Sequence, residues 1–177
     1  DSTCTVEYGY ECHGGSPIDY DVCTEICGDG KVLGLLWCDD GNNESGDGCS
    51  SICHVERGWK CGGGNLATKD TCTEICGDGI DLLFYACDDG NNVNGDGCSS
   101  TCTIEAGYQC IGGDNNHPDV CNEKCGDGIT VLYVAGKCDD GNIFNGDGCS
   151  STCDVENGWA CAGGNLVTAD TCWEICG

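Results

Sequence analysis

Cysteine recurs along this chain in a fixed frame. The tetrapeptide Cys-Gly-Asp-Gly starts at Cys27, Cys76 and Cys125, 49 residues apart each time, and Cys176-Gly177 opens another copy 51 residues on. Each full copy holds six cysteines: 27, 38, 49, 53, 61 and 72; then 76, 87, 98, 102, 110 and 121; then 125, 138, 149, 153, 161 and 172. Cys4, Cys12 and Cys23 repeat the spacing of Cys53, Cys61 and Cys72. The frame therefore divides the chain into 1–26, the second half of a repeat, then repeats 27–75, 76–124 and 125–175, and the start of the next at 176–177. Self-similarity at such a period marks a tandem array of small supersecondary units. Starting and stopping in mid-repeat, the sequence reads as a slice of a longer array.

No ordinary apolar core is available to these units. Leu, Ile, Val and Phe number 30 of 177 residues, and six Lys plus Arg face 31 Asp plus Glu, for a net charge of −25. Uncrosslinked, that balance describes disorder. The 22 cysteines reverse the reading, because crosslinks restrict the unfolded chain where burial cannot offset its entropy. Thiols in that number belong in an oxidising place, extracellular, either secreted or on a cell surface. The charge excludes nucleic acid, whose phosphates need cationic contacts, and favours cations, divalent ones first. No apolar run approaches 18 residues, so no membrane insertion is expected of this segment. The expected fold class is small, disulfide-rich and mostly irregular, with short β-ribbons in a tandem linear array of about 49-residue modules.

Local signals place the ribbons. The apolar stretches 32–37, 82–85 and 129–134 are predicted strands from their length and their β-branched or aromatic content. Residues 55–59, 104–108 and 155–159 read as a strand with a glycine kink. Trp59, Tyr108 and Trp159 are the expected apolar plugs. If the segment closes its own bonds, the cysteines fall into sets {4, 12, 23, 27}, {38, 49}, {53, 61, 72, 76}, {87, 98}, {102, 110, 121, 125}, {138, 149} and {153, 161, 172, 176}. Cys38–Cys49, Cys87–Cys98 and Cys138–Cys149 follow as bonds. Each four-membered set leaves three connectivities open.

One motif concentrates oxygen ligands. Cys-Asp-Asp-Gly-Asn-x-x-x-Gly-Asp-Gly-Cys occurs at 38–49, 87–98 and 138–149. Hard oxygens on a glycine-rich loop suit Ca²⁺. The candidate ligands are Asp39, Asp40, Asn42 and Asp47, with Asp88, Asp89, Asn91 and Asp96, and Asp139, Asp140, Asn142 and Asp147, as equivalents; Asp29, Asp78 and Asp127 adjoin them. The spacing is not that of an EF-hand. The same residues are also turn formers, whose side chains cap backbone N–H groups without a metal. Both readings stand at this point.

Catalytic readings find no support. His13, His54 and His117 fall at three different repeat positions. Ser50-Ser51 and Ser99-Ser100 recur, but no base recurs beside them to activate a nucleophile. The Cys-x3-Cys pairs suit zinc, yet six cysteines per copy without a recurring His favour disulfides. Asn43-Glu44-Ser45 is the one N-glycosylation sequon.

The string Cys-Gly-Asp-Gly, Cys-Asp-Asp-Gly-Asn, Gly-Asp-Gly-Cys-Ser-Ser-x-Cys, then Glu-x-Gly-(Trp/Tyr)-x-Cys resembles the Myxococcus-type cysteine-rich repeat, a domain of unknown function found in tandem in surface and secreted proteins. The resemblance covers essentially the whole chain. It implies an extracellular array and supplies no activity. The gross plan is also similar to epidermal-growth-factor-like and Notch-type modules, but the spacing departs from both, so neither their bonds nor their calcium sites carry over. The expected function is structural and non-catalytic: a self-associating array, head-to-tail or continuous, in a filament or surface coat, with calcium and glycans as further partners. The alternative is the stalk or ligand-binding module of a secreted adhesin or receptor ectodomain.

Overall fold

The computed structural model describes residues 5–131 and 135–176. Eight four-residue strands form four antiparallel pairs, and no helix occurs among the described residues. β1 (Tyr10–His13) pairs with β2 (Val22–Glu25), β3 (Trp59–Gly62) with β4 (Thr71–Glu74), β5 (Tyr108–Ile111) with β6 (Val120–Glu123), and β7 (Trp159–Ala162) with β8 (Thr171–Glu174).

Each hairpin sets the fifth and sixth cysteines of the frame directly opposite one another and bonds them. These are Cys12–Cys23, Cys61–Cys72, Cys110–Cys121 and Cys161–Cys172. A two-stranded ribbon of this length is marginal by itself in water, so the cystine substitutes for the missing hydrophobic face.

Between hairpins lies a strandless loop, here called the clasp, at 27–53, 76–102 and 125–153. Two nested cystines close it. The outer bonds are Cys27–Cys53, Cys76–Cys102 and Cys125–Cys153. The inner bonds are Cys38–Cys49, Cys87–Cys98 and Cys138–Cys149, as expected. The outer bonds overturn the closed sets, because Cys27 and Cys53 had been placed in different ones. The hairpins claim the fifth and sixth cysteines, which leaves the first and fourth to each other. Cys4 lies outside the described residues.

Two other expectations change. Residues 32–37 and 82–85 form no strand, and 34–37 and 83–85 are bends. Leu35 is 66% and Trp37 77% exposed, and Leu33, Leu35 and Leu36 donate their amides to the Glu25 carboxylate rather than to a partner strand. Residues 129–131 carry no strand either, and 132–134 lie outside the described residues. After the fourth cysteine, Val55 makes one bridge to Cys49. Gly58 then turns the chain at φ +82°, and the strand begins only at Trp59. The glycine separates two elements instead of kinking one.

The core is made of cystine sulfur. Cys38, Cys49 and Cys53 form one buried cluster, and Cys87, Cys98 and Cys102 another. Trp59 is buried, while Tyr108 and Trp159 are half-buried. The chain packs as two units, 1–75 and 76–177. The first runs hairpin, clasp, hairpin; the second runs clasp, hairpin, clasp, hairpin.

Candidate functional site: the carboxylates of the clasp

Each clasp is organised around one buried carboxylate. Asp39 follows the inner Cys38 and is 0% exposed. Its Oδ2 accepts the Gly28 amide at 2.9 Å, and its Oδ1 accepts those of Gly30 at 2.8 Å and Gly41 at 2.9 Å. Asp88 repeats this with Gly77, Gly79 and Gly90, and Asp139 with Gly126, Gly128 and Gly141, all at 2.7–2.9 Å. Cys-Gly-Asp-Gly supplies two of these donors because its glycines sit at φ +87° and +76°, where an L side chain is strained. Successive amides then face one point and form an anion-binding nest. A carboxylate buried without a cation is tolerable only when its lone pairs are filled in this way. Asp39, Asp88 and Asp139 are thus structural acceptors turned away from solvent.

A second aspartate joins hairpin to clasp. Asp70 Oδ2 accepts the Asp39 amide at 3.0 Å, Oδ1 accepts the Gly64 amide at 2.8 Å, and the Asp70 amide donates to the Asp39 carbonyl at 2.7 Å. Asp119 does the same toward Asp88 and Gly113, and Asp170 toward Asp139 and Gly164. Sequence reasoning missed this role. The signal was the recurring Asp two residues before the sixth cysteine, at Asp21, Asp70, Asp119 and Asp170.

Glutamates complete the pattern. Glu56 accepts the amides of Gly46 and Gly48, Glu105 those of Gly95 and Gly97, and Glu156 those of Gly146 and Gly148. Carboxylates here serve the backbone amides that strands serve in a sheet protein. The recurring serines act likewise: Ser50 and Ser99 hydroxyls accept the amides of His54 and Thr103.

The remaining candidates gather at the clasp rim. Asp40 is 7% exposed, and its Oδ1 accepts the Asn42 amide at 3.3 Å. Asn42 Nδ2 donates to Asp47 Oδ2 at 2.8 Å. Asp47 Oδ1 is buried and has no hydrogen-bond partner. Asn91 donates to Asp96 and Asn142 to Asp147, each at 3.1 Å. Burial, and then the Asp47 charge, push the Asp40 carboxyl above its ordinary range. Asp89 rises through burial and the charge of Asp96, and Asp140 through burial and the charge of Asp147. The structure therefore brings Asp40, Asn42 and Asp47 together and sets Asp39 apart. Asp29, Asp78 and Asp127 cap their own turns at the amides of Lys31, Ile80 and Ile129.

Cys125, Asp139 and Cys153 also converge, with candidate ligand atoms within 4.8 Å of one another. Both sulfurs belong to one cystine, so they are not thiolate ligands. Asn43 of the sequon is exposed. Among the described residues no helix is long and apolar enough to cross a membrane.

The profile of DUF4215, a domain of unknown function, matches residues 9–54, 58–103 and 105–154. Each match encloses one hairpin sequence and the clasp sequence after it, with three cystines closed inside. No curated protein matches the chain. Three consecutive matches cover well over half of its length, and the chain belongs to the DUF4215 family.

Proposed function

We propose that this chain is a structural, non-catalytic extracellular repeat protein that forms or contributes to a filament or surface coat. One observation carries the reading: the acids that recur in every repeat hold backbone amides. Asp39, Asp70 and Glu56, with their equivalents, are occupied in this way, so the recurring chemistry supports shape. The ten cystines among the described residues fit an oxidising exterior. Self-association, head-to-tail or continuous, follows from the repeat frame, and Asn43 offers a site for glycan. The alternative, a stalk or ligand-binding module, draws on the exposed Trp37, Phe84 and Phe144, which suit an interaction surface.

Calcium belongs to the same proposal, at the rim rather than at the buried aspartate. Asp40 and Asp47 of the first clasp, and their equivalents in the other two, offer two carboxylates, while Asn42 and its equivalents turn the NH₂ to the second aspartate and hold the amide of Glu44, Val93 or Phe144 on Oδ1. A cation between them would relieve the mutual repulsion and occupy the orphaned Asp47 oxygen. For a site in the extracellular class of ~10⁻⁴ M, calcium at a hundred times the dissociation constant adds about 2.7 kcal/mol. The melting temperature at neutral pH is expected to fall on chelation with EGTA, and an unchanged value would sink the calcium assignment.

The acid side gives an independent reading. Asp40, Asp89 and Asp140 hold protons above the ordinary value of 3.8. Their ionisation therefore disfavours the folded state at neutral pH, and that penalty is relieved as pH falls through the raised values. In chelator, the triple variant Asp40→Asn/Asp89→Asn/Asp140→Asn is expected to melt above the wild type at pH 7. Its advantage should shrink toward pH 4. Equal melting temperatures at pH 7 would contradict the pairing.

Electron microscopy of the native material, with and without chelator, tests the structural role. Long uniform filaments with an axial repeat of one or two modules support it. Discrete small particles in both conditions favour the ligand-binding alternative.

A further inference from the structure

At each joint between hairpin and clasp, one clasp residue lies against a turn glycine of the hairpin and the joint aspartate. It stands five places after the first cysteine of the frame, and it is Val32, Asp81 or Thr130. A Cβ on Gly64 would overlap Val32 Cγ2 and Asp70 Oδ1, and one on Gly164 would overlap Thr130 Oγ1 and Asp170 Oδ2. On Gly113 it would come within 2.8 Å of Asp81 Cβ and 2.7 Å of Asp119 Oδ2. One place in the fold thus takes three chemistries. Val32 has no hydrogen to donate. Thr130 Oγ1 donates to Asp170 Oδ2 at 2.9 Å. Asp81 can donate to Asp119 only when protonated, because an ionised carboxylate only accepts.

The two acids of the second joint are shut in together. Asp81 is 7% and Asp119 8% exposed. Asp81 Oδ1 accepts the Leu83 amide at 2.7 Å, and its own amide donates to the Asp114 carbonyl at 3.1 Å. Asp119 holds the amides of Asp88 and Gly113. The charges that face Asp81 are Asp119 on the hairpin and Asp88 in the clasp. Burial comes first, and with these two charges it outweighs the Leu83 amide and pushes the Asp81 carboxyl above its ordinary value of 3.8. The other charged groups of the turn, Asp114 and His117, pair with each other at 3.0 Å, and Asp78 caps the Ile80 amide. A cleft of about 270 Å³, lined by Asp81, Leu83, Gly113 and Asn115, gives a proton its way to solvent.

We propose that Asp81 and Asp119 share one proton, and that this makes the joint of β5–β6 with clasp 76–102 pH-sensitive. With the proton, Asp81 donates to Asp119 as Thr130 does to Asp170, and the joint is closed. Without it, two buried like charges oppose one another, and the hold of Asp119 on the Asp88 amide loosens. Folding raises the proton affinity of Asp81, so this stabilisation is complete below the ordinary carboxylate value and is lost as pH rises through the raised one. The joints at Val32 and Thr130 carry no second carboxyl there and lack this response. The device belongs to the fold, and it holds for a coat and for a stalk alike.

Hydrogen exchange of the whole chain in EGTA, expressed as protection relative to the unfolded rate, tests it. From pH 4 to pH 7 the protection of the Asp88 and Asp119 amides is expected to fall relative to that of Asp39 and Asp70, and of Asp139 and Asp170, which serve as controls in the same molecule. Asp81→Asn supplies a permanent N–H donor. It should abolish that fall and raise protection at pH 7 about tenfold, the scale of one added hydrogen bond to a charged acceptor. Asp81→Thr, which copies the third repeat, should do the same. His117→Gln should leave the fall in place. The same pH trend at all three joints would overturn the proposal, as would a fall that persists in both Asp81 variants or one that disappears in His117→Gln.

Discussion

Asp39→Ala is expected to open the first clasp. The substitution leaves the amides of Gly28, Gly30 and Gly41 facing an apolar methyl inside a shell of cystine. Each buried donor without a partner costs ~1–3 kcal/mol, so three together cost roughly 3–9 kcal/mol, less whatever water recovers. The Asp39 side chain is wholly buried, so relaxation toward solvent is limited. The cystines hold the chain ends together, and the opening is expected to be local rather than global. Hydrogen exchange should accelerate at those three glycines and at Asp39 itself, whose amide donates to Asp70. Asp39→Asn should fall between: its oxygen can keep Gly30 and Gly41, while its NH₂ confronts the Gly28 N–H. Unchanged protection in Asp39→Ala would mean that the carboxylate does not organise the clasp.

Gly48→Ala is expected to part hairpin β3–β4 from the clasp. Gly48 sits at φ +113°. A Cβ there would overlap Cys72 Cβ and come within 2.8 Å of Trp59 Cε3. Cys72 is bonded across the ribbon to Cys61, and neither it nor the indole can retreat without moving the hairpin. Overpacking of this kind costs about 1–3 kcal/mol, on top of roughly 1 kcal/mol or more for the backbone conformation. Gly46→Ala is the control. Its φ is +99° and nothing lies within 4 Å of its Cβ position, so only the backbone cost applies. Gly48→Ala should also uncouple Asp70 from Asp39, seen as faster exchange at both amides. Equal destabilisation by the two substitutions would show that the close approach does not matter.

The sequence carried the period and the oxidising chemistry, because these depend on the number and spacing of the cysteines. The inner bonds are present, but the closed sets from which they were drawn are not, since the outer bonds join members of different sets. The sequence did not carry the hairpins. The strands Thr71–Glu74 and Trp59–Gly62 lack an alternating apolar pattern, since a cystine and not a hydrophobic face holds them. The apolar stretches at 32–37 and 82–85 misled for the converse reason. Leu35, Trp37 and Phe84 stand exposed, and in a chain with so small a core, apolarity does not report burial. The Asp-Asp-Gly motif was legible as a cluster of oxygens, but two adjacent aspartates leave open which turns inward. The structure turns in Asp39, next to the buried Cys38, and leaves Asp40 at the rim. Asp70 was overlooked because its partner, Asp39, lies 31 residues away, beyond any local motif.

The cystine map of the native, unreduced protein tests the alternation of hairpin and clasp most directly. Proteolysis at acidic pH, which suppresses exchange, followed by mass spectrometry, is expected to recover Cys76–Cys102, Cys87–Cys98 and Cys110–Cys121 from the middle repeat, with matching bonds in its neighbours. Peptides joining Cys102 to Cys110 or Cys121 would contradict it, because the outer bond of the clasp and the cross-strand bond of the hairpin could not then coexist.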